Sequence, residues 1–235
     1  MGLVASQRQI YKSGRAQSTG MEPLLLQGLL SFGIASGLFY MFFHRDPERL
    51  PPKEDGIILS PADGWIKCVK PITAGEVPVV EKYGREIELV DLPHMGILKE
   101  GQGGFLVSVS MSLMDVHVNR SPVSGTVENI QYRPGKLKLL MGRTFQAENE
   151  RNTLVLQNED TDMRVGVVQI ASPFVRKIDC YVADGELVEL GQRIGMIRLG
   201  SQVDVILPDK EGLEIVAHKG MRVRAGTSIL ARLRR

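Results

Sequence analysis

The sequence predicts a mostly β protein with one hydrophobic helix near its N-terminus, and three observations support this. Glycine (25) and proline (12) are frequent among the 235 residues, whereas aromatic residues make up only 6%. After residue 50, short segments rich in branched residues end at Gly, Pro or Asp, and no amphipathic helical pattern exceeds three turns. Residues 24–43 carry no charge. We therefore expect a basic tail at 1–22, a helix at 23–43 and a β body at 44–235.

The uncharged segment is long enough to cross a bilayer, because 20 helical residues span about 30 Å. A buried helix of a soluble core is the alternative, but a small body rarely covers every face of so long a helix. A signal peptide fits poorly, since His44-Arg45-Asp46 follows without a small-residue cleavage site. The segment is therefore expected to be an uncleaved membrane anchor. Three basic residues on each side leave its orientation undecided by charge.

Charge and cysteine content exclude several classes of protein. The net charge is +2, and the first 43 residues carry three basic side chains and one acidic one, which leaves the body neutral. A neutral body with few aromatic residues argues against a nucleic-acid-binding protein. Cys68 and Cys180 are too few for a disulfide scaffold and form no C-x-x-C pair. We expect a reducing compartment.

The body contains two internal repeats. Residues 185–194 and 220–229 share the pattern G-x-x-V-x-x-G-x-x-I, and residues 61–66 and 122–127 share P-x-x-G-x-[IV]. Glycines at these places allow strands to turn sharply. The pattern is similar to the barrel-sandwich architecture of biotinyl and lipoyl carrier domains. A carrier presents a lysine at a hairpin tip, which neither repeat has, so the architecture is predicted without carrier chemistry. A membrane-tethered adaptor or carrier protein without catalysis remains the alternative function.

One of the four histidines stands in a pattern that favours a functional site. If residues 115–119 form a strand, alternation places Asp115, His117 and Asn119 on one face. Three such side chains together are unusual unless they form a site, and the alternative is a polar edge facing solvent. His44 beside the anchor, His94 in a loop-like stretch and His218 in a repeat have simpler structural explanations.

Familiar catalytic signatures are missing from the sequence. Asp63 is in isolation a typical turn residue, and Gly200-Ser201 is an ordinary dipeptide without a surrounding G-x-S-x-G. No phosphate-binding loop, dinucleotide fingerprint or clustered metal signature is found, so we expect no metal. An enzyme of this kind would have to make its electrophile from its own chain or use the bound substrate alone.

Taken together, five segments resemble the short form of phosphatidylserine decarboxylase across essentially the whole body. Each segment is weak alone, but their order and spacing make the resemblance strong. The segments are 43–49 (FHRDPER), 60–64 (SPADG), 115–122 (DVHVNRSP), 148–152 (ENERN) and 195–204 (GMIRLGSQVD).

The resemblance implies a proenzyme that cuts itself between Gly200 and Ser201, giving a β chain of residues 1–200 and an α chain of residues 201–235. The Ser201 hydroxyl attacks the Gly200 carbonyl, and elimination and hydrolysis leave a pyruvoyl group at the new N-terminus. This group supplies the electron sink for converting phosphatidylserine to phosphatidylethanolamine and CO₂. An archaeal ether lipid, archaetidylserine, is the alternative substrate.

The resemblance also implies residue roles. His117 is expected to be the general acid or base, and Asp63 corresponds to the aspartate that orients a base for cleavage. Longer members of the family have a second histidine where this chain has Arg120, which cannot act as a base at neutral pH. Either His117 does both jobs or His94 supplies the second one. Substrate binding is expected of Arg120, Asn119 and His94.

The partners expected from the resemblance are the phospholipid substrate, the membrane and the two chains of one precursor, with a homodimer possible. Arg45 or Arg49 would meet lipid headgroups. The expected location is the cytoplasmic face of a bacterial inner membrane, with the mitochondrial inner membrane as the alternative.

Overall fold

The computed structural model describes residues 23–76, 79–82, 85–88, 95–139, 145–172, 177–198 and 202–234. The described residues form one helix, α1 (Pro23–Phe43), and eighteen strands. The strands are β1 Ile57–Leu59, β2 Gly64–Ile72, β3 Val79–Lys82, β4 Arg85–Glu88, β5 Gly104–Ser110, β6 Val118–Arg120, β7 Gly125–Arg133, β8 Lys136–Leu139, β9 Phe145–Glu148, β10 Arg151–Asn158, β11 Met163–Ile170, β12 Ile178–Cys180, β13 Leu187–Val188, β14 Arg193–Ile197, β15 Gln202–Pro208, β16 Leu213–Ile215, β17 Arg222–Val223 and β18 Ile229–Leu233. The prediction of a mostly β chain with one N-terminal apolar helix is confirmed.

Helix α1 contains 21 residues, which corresponds to about 31 Å of helix. It begins at a proline, a residue favoured in the first turn because that turn lacks partners for its N–H groups. Within the described residues, Leu25–Phe43 is one segment long and apolar enough to cross a membrane. Contacts divide the chain between Met41 and Phe42, so that the last two residues of α1 belong to the β body.

Eight antiparallel strands form the main sheet, in the order β13-β7-β10-β11-β15-β5-β2-β17. The sheet is curled into a half-barrel. Two three-stranded sheets accompany it, β1-β18-β16 and β12-β14-β6, and two hairpins pair β3 with β4 and β8 with β9. The resemblance to biotinyl and lipoyl carrier domains stays a prediction.

The central strands of the main sheet are buried on both faces. One face carries the larger core, to which β15 contributes Val203, Val205 and Leu207. The other face carries a second core. It contains Ile206 of β15 together with Met95 and Ile97, which lie in the segment before β5. All seven residues of β15 are therefore buried, which is why this strand lacks the polar alternation of a surface strand.

The predicted repeats fold into two half-motifs with the same local pairing. In the first half-motif the short strand β17 pairs with the start of β2, and in the second β13 pairs with the start of β7. A carbonyl before each short strand accepts a hydrogen bond of 2.9 Å from the long strand. Equivalent pairs are Gly64–Val223 with Gly125–Val188, and Ile66–Met221 with Val127–Glu186.

Glycine is required where each long strand begins. Gly64 and Gly125 have φ values of 153° and 145°. A Cβ on Gly64 would lie 2.2 Å from the carbonyl oxygen of Ser110, and one on Gly125 would lie 1.9 Å from that of Gln157. Neither strand could accept a side chain there without moving backbone, so the glycines of the shorter repeat are fixed by close approach.

Candidate active site

His117 lies at the entry to β6 and is completely buried. Its ring nitrogen Nδ1 is 2.9 Å from the backbone carbonyl oxygen of Asp115. Because a carbonyl oxygen can only accept a hydrogen bond, Nδ1 carries the proton of the neutral ring and Nε2 carries the lone pair. Nε2 is buried and has no hydrogen-bond partner among the described residues. The imidazole is therefore oriented as a base with its accepting atom unoccupied.

Burial lowers the pKa of His117 below its ordinary value of 6.5. The carbonyl of Asp115 and the negative charges of Asp115 and Asp63 oppose this shift but do not overcome it. The ring of Phe43, the last residue of α1, lies 4.2 Å from the His117 ring between centroids. The apolar surroundings thus keep His117 neutral at pH 7, the form that can accept a proton.

The backbone around His117 holds one end of the predicted cleavage segment. Strand β14 pairs with β6, and the Ile197 N–H donates to the His117 carbonyl oxygen at 3.2 Å. Strand β15 begins again at Gln202, only five residues after Ile197. Gly200 and Ser201 lie outside the described residues. The link that contains them joins β14 to β15, and His117 lies at the entry to β6, the strand that pairs with β14.

A chain of buried amides leads from the main sheet to Asn119. Asn152 on β10 donates to Gln169 on β11 at 2.9 Å, and Gln169 donates to the Asn119 Oδ1 at 2.8 Å. The Nδ2 of Asn119 is buried and has no partner among the described residues. Gly195 permits this arrangement, because a Cβ there would lie 2.9 Å from the Gln169 Nε2. Two unsatisfied polar atoms, on His117 and Asn119, therefore lie on neighbouring residues of one short segment.

The structure corrects the predicted strand at 115–119. Asp115 lies in the turn before β6, where its carboxylate accepts hydrogen bonds from the Ser112 N–H at 2.7 Å and Oγ at 2.8 Å and forms an ion pair with Arg222. Burial raises the pKa of Asp115, but the hydrogen bonds from Arg222 and Ser112 outweigh it and hold the pKa below its usual value. The alternative of a polar edge facing solvent is wrong, since His117 and Asn119 are fully buried.

Asp63 is buried at the turn before β2 and is bound by Arg49. Both guanidinium terminal nitrogens contact the carboxylate, one of them at 2.9 Å, and the Ala225 N–H donates to the same carboxylate at 2.8 Å. Within the described residues no hydrogen bond joins Asp63 to His117, although the charge of Asp63 raises the pKa of His117. Asp63 therefore acts on His117 through its field, and Arg49 is engaged with Asp63.

Arg120 points away from His117 and is also buried. Its guanidinium donates to Asp46 at 2.9 Å, to the Pro47 carbonyl at 3.2 Å and to the Gly191 carbonyl at 3.1 Å. An interaction of Arg120 with a lipid phosphate would require this partly buried ion pair with Asp46 to separate. Arg120 thus connects the segment after α1, through Asp46, to the second half-motif, through Gly191.

Another buried polar group, not identified from the sequence, lies on the opposite face of β15. Gln202 donates to both carboxylate oxygens of the fully buried Asp204, at 3.0 and 3.1 Å. The facing residue on β5 is Ser108, whose Oγ is buried without a partner among the described residues. The sequence signal that could have identified this group is Asp204, an aspartate inside the mostly apolar strand β15. His94 lies outside the described residues, which include no cluster of three or more His, Cys, Asp or Glu able to hold a metal ion.

Comparisons with known proteins identify the family to which the chain belongs. The family model of phosphatidylserine decarboxylase matches residues 37–231. A putative archaetidylserine decarboxylase proenzyme of Methanothermobacter thermautotrophicus is 40% identical, covering 87% of this chain and 84% of its own. Phosphatidylserine decarboxylase proenzymes of Nitrobacter winogradskyi (40% identical, covering 98% and 92%) and Granulibacter bethesdensis (39%, covering 86% and 73%) are similarly close. The resemblance predicted from the five segments is confirmed, and the chain belongs to the phosphatidylserine decarboxylase family.

Proposed function

We propose that this chain is a proenzyme that cuts itself between Gly200 and Ser201 and then converts phosphatidylserine to phosphatidylethanolamine and CO₂. The observation that carries the proposal is the buried Nε2 of His117, which has no hydrogen-bond partner among the described residues and lies at the entry to β6, the strand whose neighbour β14 leads into residues 199–201. Relatives that are named proenzymes support the self-cleavage. The products would be a β chain of residues 1–200 and an α chain of residues 201–235.

His117 is proposed as the base for self-cleavage. Its Nε2 takes the hydroxyl proton of Ser201 as the oxygen attacks the Gly200 carbonyl, and the Gly200–Ser201 amide breaks as an ester forms. Elimination then releases the Gly200 carboxylate, and hydrolysis releases ammonia and leaves the pyruvoyl group. The Nδ1–H bond to the Asp115 carbonyl holds the ring during this transfer. Asp63 favours the imidazolium that forms, because its negative charge raises the pKa of His117.

The residues around the link suit a pyruvoyl group. When formed, the group supplies the electron sink for the electron pair left by departing CO₂. The Nδ2 of Asn119 is a buried donor that has no partner within the described part of the chain, and it would hold a carbonyl oxygen of the group. The Nε2 of His117, once protonated, would return a proton to the substrate α-carbon. Its low pKa suits it to give that proton up again.

Archaetidylserine is the second candidate substrate, because a relative at 40% identity carries that name. Both lipids share the serine headgroup and differ in their apolar chains. We place the body beside a membrane that α1 enters, at the cytoplasmic face of a bacterial inner membrane or in a mitochondrial inner membrane. A homodimer remains a prediction that mass measurement of the detergent-solubilised protein would check.

The first experiment compares wild type with Ser201→Ala. Denaturing electrophoresis and intact mass should give a 200-residue and a 35-residue fragment for wild type, and one chain of 26.0 kDa for the variant. Carbon dioxide release from carboxyl-labelled phosphatidylserine, and from archaetidylserine in a parallel assay, should be confined to wild type. Ser124→Ala, a change in the turn before β7, is the matched control and should cleave normally. Cleavage and activity of Ser201→Ala would refute the proposal.

A further inference from the structure

Three large apolar side chains of the body are exposed near Arg45 or Arg222. Trp65 is 53% exposed, Leu113 46% and Met114 64%. With the cations Arg45 and Arg222, these residues are called the interfacial patch here. Apolar side chains of this size together with two arginines are the composition of a surface that meets lipid.

Contacts through the two arginines join the members of the patch. The Arg222 guanidinium carbon lies 5.4 Å from the Trp65 ring centroid, and the same group forms an ion pair with Asp115, the residue after Met114. Arg45 donates to the Met114 carbonyl oxygen. Its guanidinium carbon also lies 3.8 Å from the ring centroid of Phe42, which is part of the last turn of α1. The patch therefore reaches Phe42, the first residue of the β body.

Leu113 and Met114, two members of the patch, are held at the surface by the turn that contains them. Asp115 accepts hydrogen bonds from the Ser112 N–H and Oγ, which closes the loop around residues 113 and 114. The next residue, Val116, turns inward to pack with Phe43, Val118 and Met196. Leu113 and Met114 are thus exposed on a constrained turn. The last residue of this turn, Asp115, binds the His117 ring through its carbonyl oxygen.

We propose that the interfacial patch sits in the boundary between headgroups and acyl chains of an anionic bilayer. Trp65, Leu113 and Met114 would enter the upper acyl region while Arg45 and Arg222 meet lipid phosphates. The inference rests on the proposed function, because a diacyl substrate stays in its leaflet and must reach His117 from that boundary. The helix supplies attachment, and the patch sets which side of the body faces the lipid.

Trp65 is the one tryptophan of the chain, so its fluorescence reports the position of the patch directly. The full-length wild-type protein is reconstituted into vesicles of phosphatidylcholine and phosphatidylglycerol in which the phosphatidylcholine carries bromine at different acyl depths. We expect a blue-shifted Trp65 emission that is quenched most strongly by bromine near the headgroups. Unquenched emission at the wavelength seen in water would overturn the proposal.

The two half-motifs provide a matched control. Leu187 pairs with Thr126 in the second half-motif as Arg222 pairs with Trp65 in the first, and it is 75% exposed. The variant Trp65→Phe/Leu187→Trp therefore carries its reporter on the equivalent strand pair of the second half-motif, outside the patch. Its emission should resist quenching, and equal quenching of both proteins would show non-specific association and refute the proposed orientation.

A second measurement compares substrate presentation. For Leu113→Ser/Met114→Ser, the ratio of kcat/KM on vesicle-borne phosphatidylserine to kcat/KM on a short-chain monomeric analogue should fall roughly tenfold, because two apolar contacts with lipid are lost. Leu187→Ser should leave that ratio unchanged. An unchanged ratio in the double variant would overturn the proposal. If instead the wild type releases no CO₂ from either substrate, the proposed function fails while the Trp65 quenching still tests the patch.

Discussion

The buried ion pair between Arg49 and Asp63 gives the most demanding test of how the site is held together. The Arg49 side chain is 11% exposed and the Asp63 side chain 8%. Replacing Arg49 by methionine keeps much of the apolar stem but removes the partner charge. The Asp63 carboxylate would then keep only the Ala225 N–H at 2.8 Å among the contacts described above.

The expected loss of stability follows from this burial. Removing one partner of a buried ion pair costs about 3–5 kcal/mol, because the remaining charge is left uncompensated away from water. For a body of this size, about 1 kcal/mol corresponds to roughly 2–4 °C in Tm, so Arg49→Met should lower the Tm by roughly 6–20 °C. Asp63→Asn should cost less than Arg49→Met, since the side-chain oxygen of asparagine can still accept from Ala225. The double variant should therefore be more stable than Arg49→Met alone.

Thermal unfolding in detergent, followed by circular dichroism, measures the effect in the uncleaved Ser201→Ala background so that all variants share one covalent state. Arg232→Met is the control, because Arg232 pairs with Glu54 at 36% and 45% side-chain exposure and such pairs contribute little. Its Tm should stay close to that of the parent. If Arg49→Met matched this control, the Arg49–Asp63 contact would carry no structural weight and the reasoning would be wrong.

Three further predictions concern the buried polar groups. Because burial lowers the pKa of His117, the half-maximal rate of self-cleavage should lie below pH 6.5, and the stability that neutral His117 contributes should be lost as pH falls from 6.5 through its lower folded pKa. A half-maximal rate at a pH above 6.5 would contradict this. His117→Ala should slow cleavage by about 10²–10⁴-fold, measured as conversion of the 26.0 kDa chain on gels. Gln169→Leu should cost about 1–3 kcal/mol in thermal unfolding by leaving the Asn119 oxygen unsatisfied, whereas Gln157→Leu at the exposed end of β10 should cost little.

Patterns within short stretches of sequence predicted the elements that depend on the properties of those stretches, namely α1 and the two half-motifs. The uncharged run gave α1, and the glycine repeats predicted the two half-motifs, because a close backbone approach such as that of Gly125 to the Gln157 carbonyl admits no other residue. The motif around His117 was identified as a site, but its strand is shorter than predicted. Asp115 lies outside the strand because its carboxylate accepts a hydrogen bond from the Ser112 N–H in a turn and forms an ion pair with Arg222. Arg222 is distant in the sequence, so the alternation of residues 115–119 could not predict this ion pair.

Contacts between distant segments escaped the sequence analysis. Gln169 lies in an apolar strand, and a single glutamine there would ordinarily mark an exposed position. It is buried because β6 brings Asn119 into hydrogen-bond range, a register that no pattern within β11 contains. Arg49 was expected to meet lipid headgroups, yet it is paired with Asp63. Long-range ion pairs depend on topology, and topology is what the sequence pattern specifies least.

Residues 43–49, which begin at the last residue of α1, make contacts with the two half-motifs and with His117. Phe43 packs on His117, Asp46 pairs with Arg120, and Arg49 pairs with Asp63. Counting from Ser60 and Ser121, Asp63 stands where the second half-motif has Ser124, and Arg120 stands where the first has Leu59. The segment thus binds both half-motifs at positions where they differ. A symmetric body would offer it two equivalent sites, so these two charged residues define a single place for the chain leaving α1, beside His117. The same contacts give residues 43–49 a structural role beside His117, which accounts for their place in the family pattern.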